Sequence, residues 1–307
     1  MPFFVSRKAA KTKMHAVELQ TVRTKDYLVF EVEKAYMQLQ LAYKAVDVLK
    51  KALKTAIANK NLAENSFKQG YLQKADVLTI EVRVLEVQNQ LQNAKSNIQN
   101  ASNYLSFMMN EKDTYILHPS DSLTISTFAF LTGETISKER ADIKALEIVS
   151  NSYETMHKAD KMAFLPRLNA FGSYELYDDK IFQTNANGYL VGAQLSWNVF
   201  EGSKRFGKAQ KSKAEFEKSK LQYDQYLSKS NLEFNKAKRM LLDAENKLKL
   251  TALALQQSKE SLRIRTDRFT QGLEKTSDLL MSETQYSQKQ LEYYQTIFEY
   301  NYAQAYL

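Results

Sequence analysis

The chain has 307 residues, no Cys, only 8 Gly and 3 Pro, a mean hydropathy of −0.49 and 25% charged side chains. That balance excludes a disulfide framework and a thiolate zinc site, leaves few places to turn the chain, and suits long solvated helices better than a compact globule. The net charge of +8, from 43 Lys and Arg against 35 Asp and Glu, reads as scattered along helical segments, and no stripe of basic and aromatic residues points to nucleic acid.

The chain opens on Phe3-Phe4-Val5 followed by Arg7, Lys8, Lys11 and Lys13, which is not a secretory signal. No run approaches the roughly 18 apolar residues of a membrane-spanning helix. From Ser6 to Gln69 neither Pro nor Gly interrupts, and Leu28, Val32, Ala35, Leu39, Ala42, Val46, Leu49, Leu53 and Ala56 alternate spacings of four and three. This heptad seam predicts a coiled-coil helix, a rod of roughly 95 Å at 1.5 Å per residue. Gly70 is placed to cap it in a left-handed conformation, and Asp76 to cap the next helix, which runs to about Leu105.

Between Ser106 and Glu139 the periodicity fails. His118-Pro119 marks a turn, and Leu123 to Thr127 alternate like a short strand, so residues 106–139 read as a connector. A helix resumes near Arg140 and ends before Pro166. The helices 71–105 and 140–165 together match the length of the first long helix, so the two are expected to stack end to end along one.

Beyond Pro166 the period drops to two. Leu168, Ala170, Gly172, Tyr174 and Leu176 share one face, and after a turn-rich loop at 178–187 the alternation resumes with Tyr189, Val191, Ala193, Leu195, Trp197 and Val199 opposite Gln194, Ser196 and Asn198. The hairpin spans 168–200, and each strand reaches the 9 to 11 or so residues that cross a bilayer as tilted β structure. Tyr174, Tyr177, Tyr189 and Trp197 could furnish an interfacial girdle, while a soluble hairpin packed on a core would show the same alternation. A second long helix follows from Ser203 to Gln271, turned by Gly272. Thr276, Ser277 or Asp278 would cap the last helix, which ends in a Tyr-rich stretch at Leu307.

The two long helices belong to a tandem duplication. Phe67-Lys68-Gln69-Gly70 and Asp76-Val77-Leu78 return 202 residues later as Phe269-Thr270-Gln271-Gly272 and Asp278-Leu279-Leu280, and the same offset pairs Lys34 with Lys236, Ala35 with Ala237, Glu81 with Glu283 and Tyr104 with Tyr306. The reading is a mainly α fold of long antiparallel coiled-coil helices in two repeats. The first comprises residues 1–105 and the second 140–307, and the second has an inserted β-hairpin. By internal symmetry the first repeat is expected to lack a helix and a hairpin at its N-terminus, with Met1 to Val5 the stump of a strand end.

In this order, Leu165-Pro166-Arg167-Leu168 before Gly172-Ser173-Tyr174, Leu195-Ser196-Trp197-Asn198-Val199-Phe200-Glu201-Gly202 before a long helix, and Arg268-Phe269-Thr270-Gln271-Gly272 with Asp278-Leu279-Leu280 resemble the TolC-like outer-membrane efflux proteins of Gram-negative bacteria. Arg140-Ala141-Asp142-Ile143 resembles the family's opening of its second half. The resemblance implies a homotrimer whose chains share one membrane β-barrel in the outer membrane, above a periplasmic helical tunnel. It also implies a periplasmic adaptor protein and an inner-membrane pump as partners, with no nucleic acid. This chain supplies one recognisable hairpin of that barrel, with Tyr174, Tyr189, Val191, Leu195 and Trp197 facing lipid. The adaptor-docking tip maps to Lys68, Gln69, Gly70, Tyr71, Thr270, Gln271, Gly272 and Leu273. Asp76 and Asp278 become pore-constriction candidates, because three chains with two hairpins each place rings of carboxylate at the tip. Where the family gate often has a basic residue two after the glycine and a Tyr three before it, this chain has Leu72 and Glu274, then Phe67 and Phe269.

No chemistry of catalysis is visible. His15, His118 and His157 are dispersed, and neither HExxH, a glycine-rich phosphate loop nor a Ser–His–Asp pattern is present, so no enzyme, metal or cofactor is expected. The expected function is a passive export duct for efflux or type I secretion. The alternative is a soluble coiled-coil scaffold or periplasmic adaptor, whose hairpin would pack on protein.

Overall fold

The structure, a computed structural model, describes residues 2–112, 115–126, 136–176 and 187–307. In chain order these form helix α1 (Pro2–Lys68), α2 (Lys74–Met109), α3 (Ala141–Met162), strands β1 (Arg167–Leu176) and β2 (Asn187–Ser196), then α4 (Lys204–Thr270) and α5 (Thr276–Tyr306). Among the described residues no helix is long and apolar enough to cross a membrane. Pro2 to Val5 begin α1 and are not a strand end. Pro is tolerated there because the first helical turn has no internal acceptor for its missing N–H. The chain divides into two compact units, residues 1–24 with 136–231, and residues 25–135 with 232–307. α1 and α4 each contribute to both.

In the second unit, α1 and α2 close a core of Ala35, Leu39, Val46 and Leu49 against Leu91, Ala94, Ile98 and Leu105. α4 and α5 make the equivalent core from Leu241, Ala244 and Leu248 against Ile297, Tyr300 and Ala303. The predicted seam is therefore the buried face, apart from its first member, since Leu28 is 49% exposed. No strand forms at 121–126, and Thr127 lies outside the described residues. Leu123 is instead drawn into the α4–α5 core. Its neighbours bond to a side chain, with Ser126 N–H donating to Asn301 Oδ1 at 3.0 Å and Asn301 Nδ2 donating to Thr124 O at 2.8 Å. An alternating run satisfied by a helix side chain has no ladder to join.

In the first unit, the start of α1 packs on α3, where Ala9, Ala16, Ile143 and Ala145 are buried. Small buried Ser212, Ser219 and Ser230 line α4, and His157 Nδ1 lies 3.1 Å from Ser212 Oγ. Asp142 anchors this unit. It accepts from Arg140 Nε at 2.6 Å, Tyr226 OH at 2.8 Å and Ile143 N–H at 2.8 Å, and pairs with Arg23 at 3.4 Å. Burial pushes its carboxyl upward, but the donors from Arg140 and Tyr226 outweigh that and hold it below the usual carboxylate range.

β1 and β2 are antiparallel, with Leu168 opposite Leu195, Ala170 opposite Ala193, Gly172 opposite Val191 and Tyr174 opposite Tyr189. One face of the hairpin is thus apolar along its length, as the period of two predicts. On the other face the Phe171 ring lies over Gly192, where a Cβ would come within 2.6 Å of it. Trp197, Asn198 and Val199 are not strand residues, because β2 ends at Ser196. Trp197 turns back to donate its indole N–H to Phe164 O at 3.2 Å. Tyr177 and the loop at 178–186 lie outside the described residues.

Candidate functional site

The two glycine turns are built alike. At the first, Gly70 has φ 80°, its N–H bonds to Phe67 O at 2.9 Å, and Tyr71 N–H bonds to Ser66 O at 2.9 Å. At the second, Gly272 has φ 73°, bonding to Phe269 O at 3.0 Å while Leu273 N–H reaches Arg268 O at 2.9 Å. This double bond pattern is a Schellman motif, which satisfies carbonyls that a helix end leaves orphaned. Lys68, Gln69, Tyr71, Thr270, Gln271 and Leu273 are all exposed around the two turns. An apolar cluster of Ala63, Val77, Ile80 and Leu280 joins the two hairpins just behind them.

Neither Asp76 nor Asp278 is an N-cap. The caps are Gln73 and Lys275, and both carboxylates sit three residues further on. Asp76 accepts the Gln73 N–H at 3.3 Å, as the third helical residue of a capping box does. Its repeat partner is placed differently. Asp278 lies 3.8 Å from Arg265, in a group where Glu274 pairs with Arg265 at 3.0 Å and Arg268 at 3.3 Å. Glu274, which departs from the family's basic residue, thus consumes two cations of its own hairpin. At the first turn Lys74 lies over the Phe67 ring at 5.8 Å, and Asp76 pairs with no cation among the described residues. The Arg265–Glu274 pairing escaped the sequence reading because it bridges the turn across nine residues, outside the helical spacings of three and four.

A buried polar cluster lies one helical turn beyond Leu280. Glu283 on α5 is 5% exposed, accepts from Asn59 Nδ2 of α1, and lines a cavity of about 140 Å³ together with Lys51, Arg83 and Tyr286. Arg83 is equally buried, but it gives Nη1 to Glu86 at 3.2 Å and leaves Nε with no partner. Burial raises the Glu283 carboxyl to about 7, with Arg83 and Asn59 only partly opposing the shift. Its repeat partner Glu81 pairs with Lys60 at 3.3 Å. The repeat position of Lys60 is Leu262, so the second copy has no cation there.

Residues 134–307 match the family model described as outer membrane efflux protein, and the chain belongs to that family. No curated protein matches it at a significant level. Among solved structures, a membrane protein from Pseudomonas aeruginosa superposes with TM-score 0.84 at 17% identity, over 97% of this chain and 71% of that one. The outer membrane protein VceC from Vibrio cholerae gives 0.81 at 21% identity, over 97% and 74%. The MtrE outer membrane channel of Neisseria gonorrhoeae, in its open state, gives 0.78 at 18% identity, over 98% and 71%. At these identities the likeness establishes the fold, a helical tunnel architecture with a small β-hairpin.

Proposed function

We propose that the chain is the passive outer-membrane duct of a multidrug efflux or type I secretion system. It assembles as a homotrimer, gives β1–β2 to a shared barrel, and docks a periplasmic adaptor and its inner-membrane pump through the turns at Gly70 and Gly272. The family match over residues 134–307 carries this reading. It is supported by a hairpin whose Tyr174, Tyr189, Val191 and Leu195 form one exposed apolar face, a surface suited to lipid. The duct performs no reaction, and the pump supplies the energy.

Planar-bilayer recording of the purified protein tests it. Stepwise ohmic currents are expected, and a protein that inserts at no protein-to-lipid ratio would overturn the reading. Spin labels at Val191 and Gln194 report the strand faces, with acyl-chain contact expected at the first and water at the second.

A further inference from the structure

The positive charge is not scattered. The unit of residues 1–24 and 136–231 has twenty Lys and Arg against thirteen Asp and Glu, a net +7 of the chain's +8. Within it, residues 158–167 and 197–213, which flank the strands on their helix side, hold eight basic residues against Asp160 and Glu201 alone. Local contacts make these two segments one patch. Trp197 donates to Phe164 O at 3.2 Å, Arg205 to Ala163 O at 3.3 Å, the Phe164 and Phe206 rings meet edge-on at 5.2 Å, and Lys208 reaches Asp160 at 2.9 Å.

Two features of the patch face solvent. Lys161, Arg167 and Lys204 are exposed and pair with no acidic side chain among the described residues. Lys204 opens the first turn of α4, which has no acidic residue there although the positive end of a helix dipole favours acids, whereas Arg205 and Lys208 behind it are held by Glu201 and Asp160. The same patch also exposes apolar surface that protein cores bury: Trp197 is 60% exposed, Phe200 88% and Phe206 69%.

We infer that this basic and aromatic collar is a binding surface for anionic phospholipid headgroups. Lys161, Arg167 and Lys204 hold phosphate, while Trp197, Phe200 and Phe206 enter the boundary with the acyl chains. Interfacial aromatic side chains beside unpaired cations suit that boundary, where one end of the group is apolar and the other wet. The inference rests on reading β1–β2 as membrane strands, since it sets their helix-side ends at the lipid surface. Each basic residue near an anionic surface strengthens association roughly five-fold, so three together are worth roughly a hundred-fold at low salt.

Flotation of the full chain with vesicles tests this, using phosphatidylcholine alone and phosphatidylcholine mixed with phosphatidylglycerol. Association is expected to favour the anionic vesicles, to lose that preference at about 1 M salt where charges are screened within roughly 3 Å, and to lose most of it in the variant Lys161→Gln, Arg167→Gln, Lys204→Gln. A control variant of equal charge, Lys50→Gln, Lys54→Gln, Lys259→Gln, is expected to keep it, and matched circular dichroism excludes misfolding. Equal association with both vesicles, or equal losses in both variants, overturns the lipid site and leaves the duct reading standing. No association with either vesicle overturns both.

Discussion

Replacing Glu283 by Gln should make the protein more stable at alkaline pH and nearly unchanged at acid pH. The carboxyl is raised from 4.5 to about 7 by burial, so the folded chain binds its proton more tightly than the unfolded chain does. A raised folded value contributes stability that is full below pH 4.5 and is lost as pH climbs to about 7, because folding then buries a carboxylate. At 1.36 kcal/mol per unit the interval corresponds to about 3 kcal/mol. Gln has the shape of the protonated acid and keeps an acceptor for Asn59 without a charge to desolvate, so the variant should recover up to that amount at pH 8. Urea unfolding followed by far-ultraviolet circular dichroism, from pH 4 to 8, reads the difference. Wild type should lose stability across the window where Glu283→Gln does not. Parallel profiles, or a variant less stable at pH 8, would refute the reasoning. Of the groups facing the carboxyl, Arg83 and Asn59 both oppose the shift, so Arg83→Met should move the wild-type transition to higher pH.

Gly70→Ala and Gly272→Ala should each lower stability by about 1 kcal/mol, measured by the same unfolding, because nothing blocks the added Cβ and the left-handed φ alone sets the penalty. Asp142→Ala should cost more, about 2 to 3 kcal/mol, since it leaves the partly buried Arg140 and Tyr226 without their acceptor; a loss below 0.5 kcal/mol would show the network to be incidental. In a salt gradient across a bilayer, Asp76→Asn should shift the reversal potential of the assembled duct more than Asp278→Asn, because Arg265 at 3.8 Å already offsets the second carboxylate. Equal shifts would mean that the pairing at the second turn does not survive in the pore.

The helices were legible because the punctuation was sparse and strong. With Gly70, Gly272 and Pro166 as stops, the expected ends fell within a few residues of Lys68, Thr270 and Met162. The caps were misread because Gln73 and Lys275 are poor cap formers by type, and the acid that serves the helix end does so from its third position. The strand expected at 123–127 failed for a non-local reason, since the partner of Ser126 is Asn301, 175 residues away. The collar was missed because its two halves are separated in sequence by the hairpin, so each looked like an ordinary charged helix end.

The duplication also says how the site residues diverged. Glu81 and Glu283 are the same residue at the same place in two copies of one hairpin, yet the first is a half-exposed partner of Lys60 and the second is buried beside Asn59. The tips also differ: among the described residues Asp76 meets no cation, and Asp278 shares Arg265 with Glu274. Several positions differ between the copies: Leu262 stands where the first copy has Lys60, Glu274 where it has Leu72, and Arg265 and Arg268 where it has Ala63 and Ser66. A trimer of this chain would therefore present three unpaired and three compensated carboxylates in alternation. Its field at the tip would then come chiefly from the first repeat, so neutralising Arg265 should raise cation selectivity by freeing the second set. Arg265→Gln recorded in the same salt gradient tests this; an unchanged reversal potential would show that Arg268 takes over the pairing, or that Asp278 does not face the ions.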